Sequence, residues 1–371
     1  MNLWIRRSGV LRLLLLVAVC SFALVAEASA HHPSGDFGSS EFDYPADPRG
    51  VSPDAPNPLH RVNWRWDENS QVVRFREKLR RDGRLGDLDL LNRSKDQVRF
   101  YWVGRHDSNP TQAVDSLLRW PRRYPFMHQT VGIVVYAHEG EQCRRGYDGG
   151  GRAGERRYRR WMQEFAAAVG SDRVVIGLEP DSLGTMRCMT GAGRRARLRN
   201  LRFAVDLLSQ LPRATVYLEA GASDWRPAKE MARYLRIVGV HKVRGFMLNV
   251  THFDWTRNNV RYGARLSRML GGKHFVVNTD ENGRGPLRYW RGRRGHRVRI
   301  NVWCNPRNSG LGLRPTLHTK HPKADGFLWI SRPGVSAGPC RGWNRRYSAV
   351  GPPAGVFWPR RALMLARNAS W

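Results

Sequence analysis

The amino-acid sequence predicts an α/β protein whose parallel sheet closes into a barrel. Three observations predict it. Short β-rich apolar runs alternate with helical stretches from about residue 98 onward, and units of this kind build a parallel sheet with right-handed crossovers. The units are numerous enough to close the sheet on itself, with a doubly wound open sheet as the alternative. Most β-like runs also end in carboxylates, amides or indoles, as expected where ligands gather at the C-terminal mouth of the strands.

The β-like runs are 98–103, 131–136, 174–178, 215–218, 245–250, 274–277, 298–302 and 327–330. Between and after them, 155–169, 193–210, 227–238, 258–270 and 359–369 carry helical patterns. Residues 72–91, where charges alternate with Leu and Phe, add a helix ahead of the sheet. No GxGxxG or GxxxxGK[ST] follows an early strand, so nucleotide binding has no support.

Residues 1–30 read as a signal peptide. Arg6 and Arg7 precede an apolar stretch over 11–25, and Ala28-Ser29-Ala30 supplies a small-x-small cleavage pattern. The apolar stretch is short for a membrane span, so the expectation is a secreted chain free of the membrane after cleavage. Residues 31–68, rich in Pro, Gly, Ser and Asp, read as a flexible leader, and 69–371 as the single barrel domain.

Cys20 leaves with the signal peptide. Cys143, Cys188, Cys304 and Cys340 remain and permit three pairings, of which the sequential one, Cys143–Cys188 and Cys304–Cys340, is favoured. No clustered Cys/His spacing supports a metal site, and no cofactor is implied. The formal net charge is +32. Lysine occurs only at Lys78, Lys95, Lys229, Lys242, Lys273, Lys320 and Lys323, and dispersed arginines supply the rest. That bias fits GC-rich coding and a solvated basic surface better than a nucleic-acid site, with attraction to acidic polysaccharide as a corollary.

The most informative stretch is Val174-Val175-Ile176-Gly177-Leu178-Glu179-Pro180-Asp181, a buried strand that stops abruptly in two carboxylates. A carboxyl group at the edge of an apolar layer can have its pKa raised enough to act as a general acid. Other strand ends carry Tyr136, Glu219 with Trp225 shortly after, Asn249, Asn278 to Gly283, and Trp303-Cys304-Asn305. Indoles pack on pyranose faces, while Asn and Asp bind hydroxyls, so a sugar polymer suits this set.

These strand ends resemble glycoside hydrolase family 6, the cellobiohydrolase and endoglucanase family, in order along the chain from about residue 100. Leu178-Glu179-Pro180-Asp181-Ser182-Leu183 is similar to the family's Glu-Pro-Asp signature. Val216-Tyr217-Leu218-Glu219-Ala220-Gly221 with Trp225 resembles Tyr-Leu-Asp-Ala-Gly with Trp. Gly245-Phe246 with Asn249-Val250, Trp303-Cys304-Asn305, and Leu328-Trp329 with Pro333-Gly334 continue the series. The resemblance implies a distorted, seven-stranded-like parallel barrel, and disulfides that coincide with the sequential pairs. It further implies a monomer that hydrolyses β-1,4-glucosidic bonds of a cellulose-like glucan with inversion. Asp181 would be the general acid, Tyr136 would lie beside the anomeric centre, Trp225 and Trp303 would stack on sugars, and Asn249 and Asn305 would be subsite residues.

The departures carry consequences. The family's Arg-Asp before cysteine is Glu141-Gln142 here, and the aspartate proposed as base or its partner falls near Ala337. Neighbouring lysine and glutamate positions read Ser331 and Val335, the Tyr-Leu-Asp aspartate is Glu219, and a substrate histidine is Ala222. Either Glu219, Glu139 or Glu141 takes over and the chain is a rewired hydrolase, or it is a catalytically impaired glycan binder.

Overall fold

Valine, isoleucine and leucine at successive positions of the central strands leave neither face fit for water, which dictates a sheet covered on both sides. The computed structural model describes residue 52 and residues 54–64, 71–94, 97–138, 151–293 and 296–371. Its parallel strands are β1 (Asn63–Trp64), β2 (Tyr101–Gly104), β3 (Gln129–Tyr136), β4 (Val174–Leu178), β5 (Ala214–Glu219), β6 (Gly245–Leu248), β7 (His274–Asn278) and β10 (Ala324–Leu328). A separate antiparallel ribbon pairs β8 (Arg288–Arg291) with β9 (Val298–Asn301). The helices are α1 (Gln71–Arg81), α2 (Leu85–Asn92), α3 (Pro110–Arg123), α4 (Gly151–Val169), α5 (Gly191–Leu208), α6 (Ala228–Ile237), α7 (Thr256–Met269) and α8 (Pro359–Arg367). Among the described residues, no helix is long and apolar enough to cross a membrane.

The spatial order is β3-β4-β5-β6-β7-β10, and both β1 and β2 pair with β3, at 129–130 and 133–136. Strand alternation sorts the apolar side chains into two sets. Ile133, Ile176, Leu178, Leu218, Phe246 and Phe275 join the core shared with the helices. Val134, Val175, Tyr217, Met247, Val276 and Leu328 fill the inside of the curl. The pairings Leu178↔Leu218, Leu218↔Phe246 and Phe246↔Phe275 keep the outer set in phase from strand to strand. Among the described residues no ladder closes β10 onto β1 or β2. Phe100 N–H to Trp329 O at 3.4 Å and Trp102 Nε1–H to Ile330 O at 3.0 Å bridge that seam. The sheet is therefore a curled, incompletely closed parallel barrel.

Four elements differ from the sequence expectation. Residues 298–302 were expected in the sheet. Instead β9 lies in the exposed ribbon, because arginines alternate with Val298 and Ile300 and leave it only one modest apolar face. The helix over 72–91 is two helices, broken where Gly83 takes the left-handed conformation at φ 68°. Helix α3 has no counterpart in the sequence expectation. Asn109 caps it through Gln112 N–H at 2.9 Å and Pro110 starts it, while Pro121 in its last turn disguises the pattern. The end of the expected leader is packed rather than loose: Leu59, Val62 and Trp64 are buried in the inner core. The signal peptide lies outside the described residues. Cys304 and Cys340 are disulfide-bonded with Cα atoms 5.7 Å apart. The expected Cys143–Cys188 pair has Cys143 outside the described residues.

A buried ionic cluster braces the N-terminal ends of the strands. Arg244 donates to Asp325 through Nε and Nη2, both at 2.8 Å, Tyr217 Oη donates to Asp325 at 2.7 Å, and His274 Nδ1 lies 2.8 Å from Asp325. The same guanidinium reaches Ala55 O at 2.8 Å, and Asn57 Nδ2 donates to Asp325 O at 2.7 Å, so the cluster straps residues 55–57 to the barrel. Burial alone would raise the Asp325 pKa, but Arg244 and His274 hold it below the ordinary carboxylate value. A depressed folded-state pKa contributes stability that is present above the unfolded value and lost as the pH falls through the folded one. Arg244→Met, which leaves that carboxylate without its partner, is expected to cost about 3–5 kcal/mol in urea unfolding at neutral pH. The gap between wild type and Asp325→Asn is expected to close as the pH falls below about 3.8.

Candidate active site

Strand β4 delivers the site. Glu179 N–H still bonds Val135 O at 2.8 Å, and then the chain leaves the sheet through a tight turn. Glu179 and Asp181 both adopt left-handed backbone, at φ 55° and 67°, on either side of Pro180. Such conformations cost non-glycine residues about 1–3 kcal/mol each and persist only where surroundings enforce them. Here the Glu179 carboxylate, fully buried, accepts Ala137 N–H at 3.1 Å and His138 N–H at 3.2 Å from the end of β3. Asp181 O accepts both Thr185 N–H at 3.0 Å and Thr185 Oγ1–H at 2.7 Å. The turn is locked to its neighbours on both sides.

Asp181 is 8% exposed, and Thr251 Oγ1 donates to its Oδ1 at 2.5 Å. Two more carboxyls share its surroundings. Glu179 has its pKa pushed up to about 8 by burial, against the pull of the two N–H groups. Glu219, at the end of β5, is also pushed up to about 8, first by burial and then by Asp181. Leu183 N–H at 3.0 Å and Gly221 N–H donate to it. Tyr136 closes one side. Burial, Asp181 and Glu179 all push its pKa far above the usual phenol value, so its hydroxyl stays protonated. Its ring packs against Trp102 and His138, with centroids 5.6 and 4.8 Å away. Beneath, buried Arg197 on α5 donates to Ser182 O at 3.2 Å, and burial lowers its pKa to about 10 while Tyr136 and Glu219 oppose the drop. Burial and Arg197 push His138 well below its ordinary value, leaving it neutral.

The structure brings together Asp181, Tyr136, Glu219 and Trp225 from the sequence-derived set. Gly184, three residues past Asp181, makes room for Trp225: a Cβ there would lie 2.3 Å from the indole. The other partner of that indole is His252, stacked at 4.4 Å, so Trp225 is half-buried rather than an open platform. Trp303 is 47% exposed and packs edge-on against Trp343 at 4.8 Å.

Two expected sugar contacts are corrected. Asn249 and Asn305 are each 1% exposed, and their amides are taken up by the protein. Asn249 adopts φ 65°, donates to Asp254 O and Asn278 O, and accepts Asp254 N–H at 3.1 Å. Asn305 donates to Gly338 O at 2.7 Å and accepts Ala337 N–H at 2.9 Å. Short amides tolerate left-handed backbone and clamp loops, and these two do that. Ala337 itself is exposed on the loop after β10 and offers no carboxylate. Glu139, Glu141 and Gln142 lie outside the described residues.

Several site residues were not singled out from the sequence. Arg197 is one arginine among many and Thr251 follows a strand without a recognisable motif. Asn278 was read only as one of the polar residues at a strand end, yet it donates to Asp280 Oδ1, Ser331 Oγ and Asn249 O, joining the ends of β6, β7 and β10. Asp280 beside it is buried, and burial together with Glu281 pushes its pKa up to about 7. Among the described residues, no cluster of His, Cys, Asp or Glu is arranged to hold a metal ion.

A raised folded-state pKa contributes stability that is present below the unfolded value and lost as the pH rises through the folded one. For Glu219 that window runs from about 4.5 to about 8. In urea unfolding across this range, wild type is expected to lose stability relative to Glu219→Gln as the pH rises. A pH-independent gap would show that Glu219 does not titrate there.

Comparison with known proteins gives a consistent family. The glycosyl hydrolases family 6 profile matches residues 62–369. Endoglucanase A of Cellulomonas fimi is 34% identical over 286 residues, covering 77% of this chain and 57% of that protein. Endoglucanase 1 of Streptomyces halstedii is 33% identical over 228 residues, 59% of this chain and 64% of that one. The chain spans about half to two thirds of the length of such curated relatives. Among solved structures, the endoglucanase Cel6 from Mycobacterium tuberculosis, in complex with methyl-cellobiosyl-4-deoxy-4-thio-β-D-cellobioside, matches with a TM-score of 0.70 at 31% identity. That match covers 85% of this chain and 100% of that chain. Endoglucanase CEL6B from Humicola insolens shares the fold, with a TM-score of 0.66 at 20% identity, covering 83% of this chain and 96% of that chain.

Proposed function

The chain belongs to family 6 of the glycosyl hydrolases, and on that premise we propose that it is a secreted hydrolase of β-1,4-glucosidic bonds in a cellulose-like glucan. The observation that carries this proposal is the placement of Asp181. A strained turn fixed by Glu179 presents its carboxyl at the mouth of the sheet, beside Glu219 and Tyr136. Asp181 is the proton donor to the leaving oxygen. Glu219 is a positioning carboxyl: it holds the loop that follows Asp181 through Leu183 N–H at 3.0 Å. Tyr136 presents a neutral hydroxyl to the sugar, and the exposed Trp303 supplies an indole face for stacking.

Inversion requires water to attack the face of the anomeric carbon opposite the donor. Ala337 offers nothing to orient that water, and the oxygens of Glu179 and Glu219 are engaged by backbone N–H groups. General-base assistance is worth about 10²- to 10⁴-fold, so turnover well below that of a base-assisted hydrolase is expected. The same Ala337 supports the second reading, a glycan binder with little turnover.

The two readings separate on one assay. Asp181→Asn is expected to reduce sugar release from a β-1,4-glucan by about 10²- to 10⁴-fold. It should leave oligosaccharide binding in place. Turnover that survives Asp181→Asn would reject the assigned donor, and wild-type binding without turnover would favour the binder. Trp303→Ala is expected to weaken oligosaccharide binding by about 10-fold, roughly 1.4 kcal/mol, in titration calorimetry. Unchanged affinity would remove Trp303 from the sugar path.

A further inference from the structure

The β8–β9 ribbon is a feature that neither the core nor the proposed chemistry requires. Its root is built into the site. Arg288 and Asn301, paired across the ribbon, both reach Asp224, at 3.1 and 2.5 Å. Asp224 is fixed in turn by His252 at 3.1 Å, and His252 stacks on Trp225. Side chains of a ribbon alternate between faces, and directly opposed pairs share one. The next pair out on the face that Arg288 and Asn301 turn toward Asp224 is Trp290 opposite Arg299. Trp290 is 63% exposed and Arg299 is exposed too, so an indole and a guanidinium stand side by side on the site-facing side of the ribbon. The opposite face is held down by Tyr289, whose ring stacks flat on Tyr347 with centroids 4.6 Å apart.

Asp224 and Asp254 lie at the ribbon's root beside Arg288, but the ribbon's own sequence is one-sided in charge. No acidic residue occurs between Glu281 and Asp325, and none follows Asp325, while the ribbon carries Arg291, Arg293, Arg297 and Arg299. Guanidinium groups bind carboxylates as planar forks, and an indole takes a pyranose ring on its face. A neutral glucan needs only the indole.

We propose that Trp290 and Arg299 form a distal subsite for an acidic sugar unit, so that the favoured substrate is a β-glucan bearing carboxylate groups. The pair lies one ribbon step out from Arg288 and Asn301, which join the ribbon to Asp224 and, through His252, to Trp225. The choice of a glycan as occupant rests on the glucan-cleaving activity proposed above.

The test compares carboxymethyl cellulose with neutral hydroxyethyl cellulose, for both affinity electrophoresis and hydrolysis, using the full chain. Wild type is expected to bind the anionic polymer about 10-fold more tightly at low salt, and the advantage should collapse at about 0.5 M salt. Arg299→Gln is expected to weaken binding to carboxymethyl cellulose about 5-fold and leave the neutral polymer unchanged, whereas Trp290→Ala should weaken both. Both side chains are exposed, so unchanged melting temperatures are expected and confirm folding. Equal wild-type affinity for the two polymers, or an Arg299→Gln effect that is absent or equal on both, overturns the subsite. Tighter binding to a single-stranded polynucleotide, with loss of carboxymethyl cellulose binding in competition, overturns the choice of a glycan. If binding discriminates as expected but neither polymer is cleaved, the subsite stands and the hydrolase proposal fails.

Discussion

A carboxyl group that never meets solvent, Glu179, positions the proposed proton donor. Glu179 grips two N–H groups at the end of β3, and that grip holds a turn in which Glu179 and Asp181 both take backbone conformations that L-residues avoid. Glu219 repeats the device one strand over. Its oxygens gather Leu183 and Gly221 N–H, which fixes the segment that leads from Asp181 to Gly184 and gives Trp225 its place. Two buried acids thus hold two loops, and the exposed edge of the third, Asp181, is what remains for a ligand.

The strained turns of the site and the ionic brace lie at opposite ends of the strands. Left-handed Glu179, Asp181 and Asn249 all follow the C-terminal ends of strands, where loops meet the site. At the opposite end, Asp325, Arg244, His274 and Tyr217 form a saturated ionic cluster inside the curl, which also straps down residues 55–57. Continuous apolar layers fill the space between the two ends. Closure between β10 and the β1/β2 edge is incomplete. Single hydrogen bonds from Phe100 and Trp102 bridge the seam in place of a ladder.

Much of this was legible in the sequence because strand periodicity and strand-end chemistry are local signals. Val174 to Leu178 reads as a buried strand from its side chains alone, and the carboxylates after it mark the mouth. What could not be read is set by contacts between distant segments. Asn249 and Asn305 look like sugar ligands at strand ends, yet their amides are taken by loop backbone that only the fold brings near. Arg197 is indistinguishable from other arginines on its helix until packing places it beneath Tyr136. Residues 298–302 satisfy strand propensity but pair with 288–291, a choice made by the arginines that forbid burial in the sheet. The packed segment 58–64 was hidden by a proline-rich, loop-like composition.

The role of Asp181 is tested most directly by varying how much the leaving group needs a proton. Aryl β-cellobiosides spanning a range of phenol acidities would be cleaved by wild type and by Asp181→Ala, and log kcat/KM plotted against leaving-group pKa. The account predicts a shallow slope for wild type and a steep one for the variant, with near wild-type rates only for the most acidic phenols, which depart without help. A uniform loss across all leaving groups would contradict it and assign Asp181 to binding or structure instead.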